Sequence, residues 1–426
     1  MNSCLLSDAE GRKNVNYLAT LDFIISLGFG LILPLFPLYV ILLGGGGLEV
    51  GILFSSFVFT RAILATPFGN LSDRIGRKRL ILIGSFLYAF LAILFTVPDT
   101  WSGLIFVRAL QGVASAMVWP VSEALVIDSC PANRRGGSLG KIVMSSNLGM
   151  MLGPFVGGGL FLFARDFLGY SEANSYKFPF YITAAVALVG AALVWAYVTD
   201  ARVPQEHKRK LSLRELLRPD GLDKQGMRNL NLLYANAAME GFSFSSIGPL
   251  MVLFLSFKFS LDAGIAAIVI GIGMGLGALV AYPSGRLADR VGKKKMFVLG
   301  GYIAFIGTVL IPFGWVLLAA IVFLGMRSMA FQVASPALRA MQADAVPSNV
   351  RGRLIGMLES MSNLGSVIGA PVGGLLWDAF KGRDLGLASL MDGTVIPFIV
   401  SGLMGLFTVS LVLLFVSEKR LAASTE

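Results

Sequence analysis

Twelve oily runs, most of them separated by only a few polar residues, limit what this chain can fold into. They lie near 17–43, 49–68, 79–97, 101–125, 139–164, 178–198, 229–257, 263–283, 296–313, 315–338, 354–377 and 395–416. Each reaches or approaches the roughly 20 residues that a helix needs to cross a bilayer. The 426 residues are 55% hydrophobic and 14% charged, with a mean hydropathy of +0.75, outside the usage of water-soluble domains. The expectation is an all-α integral membrane protein with about twelve transmembrane helices. The opening "MNSCLLSDAEGRKNVN" is polar and lacks the three-part pattern of a removable signal, so the first span is expected to stay in the mature protein.

Orientation follows from where the Lys and Arg fall, because cytoplasmic loops collect them. One set of loops carries Arg12, Lys13, Arg74, Arg77, Lys78, Arg79, Arg134, Arg135, Lys141, a cluster over 202–228, and Arg286, Arg290, Lys293, Lys294, Lys295, Arg339, Arg351, Arg353, Lys419 and Arg420. The opposite set carries Arg165, Lys177, Lys258, Lys381 and Arg383. Both termini are therefore placed in the cytoplasm of a multi-pass protein of the cell membrane. The net charge of +10 is accounted for by this asymmetry, so membrane lipids with anionic headgroups are the expected partner and nucleic acid is not. Cys4 and Cys130 both fall on the cytoplasmic side, where thiols stay reduced, and no disulfide is expected.

Two charged turns interrupt the oily pattern: "GNLSDRIGRKR" from Gly69 and "GRLADRVGKKK" from Gly285, 216 residues further on. The same shift superposes Asp73 on Asp289, Gly76 on Gly292, Pro120 on Pro336, Asp128 on Asp344 and the "SNLG" at 146–149 on that at 362–365. Six spans thus repeat as six spans. An even number per half gives both halves the same topology, so two six-helix bundles should be related by a pseudo-twofold axis along the membrane normal. The expected division is a first bundle over 1–200, a basic cytoplasmic linker over 201–227 and a second bundle over 228–426. In the linker, Leu211, Leu213, Leu216 and Leu217 with Arg214 and Arg218 fit a short amphipathic helix on the membrane surface. A solvated connector whose charge only fixes topology fits equally well.

These residues resemble the major facilitator superfamily, and more narrowly its twelve-helix drug:proton antiporters. The charged turn looks like that superfamily's signature between the second and third spans, with its repeat after the eighth. "RALQG" from Arg108, with Ala116, resembles the motif of the fourth span. "GMMLGPFVGG", with Gly149, Gly153, Pro154, Gly157 and Gly158, fits the fifth-span pattern associated with exporters, and "LGFGLILPLFP" from Leu27 fits the first-span pattern of twelve-helix members.

The resemblance implies a conformational latch of Gly69, Asp73, Arg74, Gly76, Arg77 and Asp128, in which the Asp73, Arg77 and Asp128 cluster holds the outward-facing state. Gly69 and Gly76 would let helices approach and the loop turn sharply. Asp73 would accept from the next helix's N-terminus or pair with Arg77. The second copy offers Gly285, Asp289, Gly292 and Lys293, and there Lys293 replaces the bidentate arginine, so that latch should be weaker. The plainer reading is that both loops only anchor topology. The fifth-span glycines and their echo "GSVIGAPVGG" in the eleventh span should pack tightly at the bundle interface, as small residues do in membranes.

Ionisable residues inside spans are costly and by default point to function. Here they are Asp22 in the first span, Arg61 in the second, Arg108 in the fourth, Glu240 in the seventh and Arg327 in the tenth, with Glu123 and Glu359 nearer the cytoplasmic ends. The third, sixth, ninth and twelfth spans carry none. In the superfamily's fold the first, fourth, seventh and tenth spans line the cavity, and the charges agree with that plan. At about 1.5 Å per residue, Asp22 should lie about 7 Å into its span, within reach of Arg61. Glu240 and Arg327 should both lie near the midplane, paired or sharing a wet pocket. Proton coupling needs a group whose proton affinity burial and a competing charge can move. The only histidine, His207, sits in the linker, so Asp22 and Glu240 are the candidates. Arg108, in its recognised motif, is expected to hold the proton path or the backbone of the first helix, and the bland alternatives are an interfacial Asp22 beside a helix N-terminus and Arg61 and Arg327 as structural counter-ions.

"GIGMGLG" from Gly271 lacks the strand and the Lys of a nucleotide loop and reads as helix packing. No cofactor and no metal site is expected, and no nucleophile with a base marks an enzyme. The expected activity is secondary transport by alternating access: proton-coupled efflux of lipophilic or cationic small molecules, by a monomer if the family habit holds. Flexible Met239, Met326 and Met329 with Phe242, Phe244 and Phe331 suit such ligands and are also ordinary core residues. The alternatives are a lipid or glycolipid flippase or another metabolite transporter on the same scaffold and, from other classes, a membrane sensor or a membrane-embedded enzyme.

Overall fold

The computed structural model describes residues 7–131, 134–200, 224–344, 351–384 and 392–415, and within these the side chains of 8, 224, 281–283, 285–290, 343–344 and 351–353 lie outside the description. Almost all described residues are helical. The first six spans are α1 (Asp8–Ile32) continued by α2 (Phe36–Leu42), α3 (Gly47–Ile75), α4 (Arg77–Leu94), α5 (Trp101–Ser129), α6 (Arg135–Leu162) and α7 (Glu172–Tyr197). The second six are α8 (Lys224–Ile247) continued by α9 (Leu250–Phe259), α10 (Ala263–Val291), α11 (Lys293–Leu310), α12 (Leu317–Asp344), α13 (Arg351–Phe380) and α14 (Ile396–Phe415).

Local chemistry explains the ends. Ser7 starts α1 with a reciprocal cap: its Oγ accepts from Glu10 N at 3.3 Å, and its own N–H donates to Glu10 Oε2 at 3.0 Å, satisfying donors that a helix start leaves orphaned. The first span breaks after Ile32, where Pro34 has no N–H to give and Pro37 opens α2. The seventh span breaks at the corresponding place, before Pro249. Gly76 ends α3 and starts α4 at φ +103°, and Gly292 does the same between α10 and α11 at φ +106°. Only glycine holds such backbone without strain.

The 216-residue shift carries Gly47–Ile75 onto Ala263–Val291 and Arg77–Leu94 onto Lys293–Leu310, residue for residue. Packing repeats as well: α1 lies on α6 and α7 and α4 on α5 and α7, as α8 lies on α13 and α14 and α11 on α12 and α14. Ten of the described helical segments are long and apolar enough to cross a membrane on composition alone. Arg77–Leu94 starts with three consecutive cations and Arg351–Phe380 is rich in Gly and Ser. Helices extend beyond several of the oily runs, most of all in the first span, which starts at Asp8 rather than near residue 17.

Two compact units form: Met1–Lys208 with Leu255–Gly271, and Arg209–Phe254 with Ile272–Glu426. The last turn of α9 and the first turns of α10 group with the first unit. Most of the linker, including Leu211, Leu213, Leu216 and Leu217, lies outside the described residues, as does Cys4. Cys130 is a buried free thiol.

Candidate functional site

In the first unit, Asp22 is the centre of interest. It sits on α1, fourteen residues beyond Asp8, about 21 Å along the helix, not the 7 Å that the oily run implied. It is completely buried. Ser122 Oγ on α5 donates to its Oδ2 at 3.2 Å, and its Oδ1 meets no partner among the described residues. The expected pair with Arg61 does not form. Both residues lie at similar depth, but Arg61 turns its guanidinium over the Trp119 ring, 5.0 Å from the centroid. Equal depth says nothing about rotation around the helix axis, and that rotation separates the two charges.

Arg108 is the largest fully buried side chain among the described residues. Its Nη1 donates to Gln111 Oε1 at 2.9 Å, and its guanidinium lies 4.6–5.1 Å from the rings of Phe57, Phe29 and Phe36. The interior of the first unit therefore holds one carboxyl and one guanidinium that do not neutralise each other. Both are presented to one face of α5, where Arg108, Gln111, Ser115 and Ser122 recur at helical spacing.

The charged turn is built as a cluster. Arg77 Nε meets Asp128 Oδ2 at 2.7 Å, and its Nη2 meets Asp73 Oδ1 at 3.2 Å. This joins the end of α3, the start of α4 and the end of α5. Asp200 also meets the start of α4. Lys78 N donates to Asp200 Oδ1 at a long 3.4 Å, Lys78 Nζ donates to Trp195 O at 2.8 Å, and a Cβ on Gly76 would collide with the Asp200 carboxylate. Arg74 is exposed in the last turn of α3. At Gly69 a Cβ would meet open space, so the close approach expected there is not made by the described residues. In the second copy Gly292 repeats the turn and Lys293 starts α11. Gly285 and Asp289 belong to α10, in the stretch whose side chains lie outside the description.

The fifth-span glycines face the first span of their own unit. A Cβ on Gly149 would strike Phe23 O and Leu27 N, one on Gly153 the backbone of Gly30 and Leu31, and one on Gly157 the carbonyl of Leu31. Gly158 faces Gly264, Ala267 and Ile268 at the start of α10, and Pro154 is buried inside α6. In the second unit Gly365, Gly369 and Gly373 meet the backbone of Ala238, Phe242 and Ser246 on α8 in the same way. Beyond α6, Arg165 bridges Asp166 at 2.6 Å and Asp262 at 3.2 Å, and Asp262 Oδ1 accepts from Ile265 N at 2.9 Å.

In the second unit Glu240 lies on α8, sixteen residues beyond Lys224, about 24 Å along the helix. Arg327 does not pair with it. Its Nε donates to Thr308 Oγ1 at 3.0 Å, and its guanidinium lies 5.7 Å from the Phe244 ring centre. Among the described residues, the cation whose field reaches Glu240 is Arg339, on α12. Sequence reasoning missed Ser122, Gln111, Ser115, Asp200 and the Arg165–Asp262 pair. The first three could have been found from their phase relative to Arg108; the others needed the fold.

A family model described as Major Facilitator Superfamily matches residues 18–235 and again 233–426. An uncharacterised MFS-type transporter of Methanocaldococcus jannaschii is 26% identical over 392 residues, covering 92% of this chain and 97% of that one. Multidrug resistance protein 2 of Bacillus subtilis is 26% identical over 366 residues, covering 84% and 86%. A solved bacterial homologue of the human lysosomal transporter Spinster, inward-facing and occupied, matches with a TM-score of 0.78 at 15% identity, covering 96% of this chain and 97% of that one. That last likeness concerns the fold alone.

Proposed function

The chain belongs to the major facilitator superfamily, and from that premise we propose that it is a proton-coupled exporter of lipophilic or cationic small molecules. It works as a secondary transporter by alternating access in the cell membrane, with both termini in the cytoplasm. The relatives named for multidrug resistance, at 26% identity over most of the chain, support the substrate class. The observation that carries the coupling is Asp22: a carboxyl wholly inside the first unit, held by one serine hydroxyl and by no cation among the described residues.

A carboxyl held in this way changes charge when it gains or loses a proton, and its surroundings must answer that change. Protonation from outside releases the cationic substrate, and deprotonation toward the cytoplasm restores the negative site. Glu240 is the second acid of the cycle, under the field of Arg339. Arg77, Asp73 and Asp128 tie three helix ends together and set how readily the cytoplasmic side opens. The partners are the substrate, protons and surrounding lipid, and the working unit is a monomer.

The test is uptake of a fluorescent lipophilic cation into liposomes holding the purified protein in inverted orientation, with and without a pH gradient, in wild type, Asp22→Asn and Glu240→Gln. Gradient-driven accumulation in wild type that falls at least tenfold in either variant, with unchanged thermal stability, is the expected result. Accumulation that ignores the gradient in wild type overturns the coupling. Full exchange in both variants overturns the assignment of the acids.

A further inference from the structure

We propose that Arg108, Gln111, Ser115 and Tyr88 form a binding site for a small monovalent anion of halide size inside the first unit. The argument starts from unused hydrogen-bonding atoms. Arg108 Nε and Nη2, Gln111 Nε2, Ser115 Oγ and Tyr88 Oη are all buried and meet no partner among the described residues. The four side chains are 0–1% exposed. Buried polar groups in native proteins are almost always satisfied, so five such atoms in one neighbourhood require an explanation.

The atoms share a place. Arg108, Gln111 and Ser115 follow each other at three and four residues on α5, which puts them on one face. Tyr88 comes from α4, which packs on α5 through Gly84 against Ala114, Met117 and Val118, and its phenol lies within the electrostatic reach of Arg108.

They also share a chemistry. The guanidinium and amide atoms can only donate, and the two hydroxyls can donate. A guanidinium keeps its charge at any physiological pH, and no carboxylate among the described residues pairs with this one. The rings of Phe29, Phe36 and Phe57 ease the positive charge, but they accept no hydrogen bond along the guanidinium plane. A water molecule would satisfy donors and leave the charge; an anion satisfies both. Full enclosure restricts the occupant to one that has shed its own water and is small, which favours chloride or bromide over a substrate carboxylate. The acid at Asp22 does not occupy the site: it sits on Ser122, fourteen residues along α5 from Arg108 and seven from Ser115, about 21 Å and 10 Å along the helix, and it pairs with neither.

The site is independent of the transport reading, so either can fail alone. The probe is bromide. Purified wild type is unfolded by heat in sodium bromide and in sodium gluconate at equal ionic strength, and crystals grown in bromide are measured at the bromine absorption edge. Binding of the native state raises the midpoint by a few degrees in bromide at concentrations well above the dissociation constant. An anomalous peak should lie within hydrogen-bond reach of Arg108. Gln111→Leu and Tyr88→Phe, which leave the charge in place, each lower the apparent affinity about tenfold, and Arg108→Gln abolishes the shift. Equal midpoints in the two salts for wild type, an anomalous map empty at Arg108, or a bromide shift unchanged in Gln111→Leu and Tyr88→Phe each overturn the proposal, even if Arg108→Gln does not fold.

Discussion

Gly153→Ala should lower the stability of the first unit, although alanine is the better helix former. The added methyl points at Gly30 Cα and carbonyl carbon and at Leu31 N. These are backbone atoms, so no rotamer change can clear them, and α1 must move away from α6 along the contact that also includes Gly149 and Gly157. Overpacking a tight interior contact by one methyl costs about 1–3 kcal/mol. At roughly 2–4 °C per kcal/mol for a unit of this size, the midpoint should fall by roughly 2–12 °C. Gly159→Ala, on the same helix, is the control. Its methyl would meet open space, and there the propensity gain of up to about 1 kcal/mol should raise the midpoint or leave it unchanged. Gly369→Ala on α13, whose methyl would meet Phe242 O and Ser245 Oγ, should repeat the fall in the second unit. The assay is thermal unfolding of the purified variants in one detergent. A Gly153→Ala midpoint at or above wild type would refute the claim that these glycines exist to let α1 and α6 touch.

Three further outcomes follow from the same geometry. Gly292→Ala, where the Cβ meets nothing but φ is +106°, should cost about 1–3 kcal/mol through backbone strain; Gly76→Ala at φ +103° should cost more because it also strikes Asp200, and chemical denaturation of the pair reads the difference. Arg77→Lys keeps the charge and loses the fork that reaches Asp73 and Asp128 together, so stability should drop by roughly 1–3 kcal/mol and transport should slow while ligand affinity stays, as separate binding and flux assays would detect. Ser122→Ala removes the described donor to Asp22 and should move the pH at which gradient-driven transport is half-maximal, with little change in the thermal midpoint; an unmoved profile would separate Asp22 from coupling.

The repeat was legible to the residue, because a duplicated pattern of glycines, prolines and charged turns fixes register without any knowledge of packing. The spans were legible as existing elements, but not their ends. Hydropathy marks lipid contact, whereas a helix continues as long as its backbone bonds are made and capped. Ser7 and Glu10 therefore carry α1 nine residues before the oily run, which tripled the depth of Asp22. The charge pairs were the least legible. Depth along an axis follows from counting, but each residue also turns the side chain by about 100°, and Asp22 came to face Ser122 while Arg61 came to face Trp119. Asp200 could not be assigned to the start of α4 because 122 residues of chain separate it from Lys78.

The equal lengths of α3 and α10, and of α4 and α11, bear on the lipid around the protein. A bilayer thicker or thinner than these helices imposes a mismatch energy on each span, a fraction of a kcal/mol for every ångström. Matched spans in the two halves carry matched loads, so a change in acyl-chain length strains both halves alike and favours neither. Activity in a series of lipids of increasing chain length should then trace one optimum, set by a single thickness that both halves share.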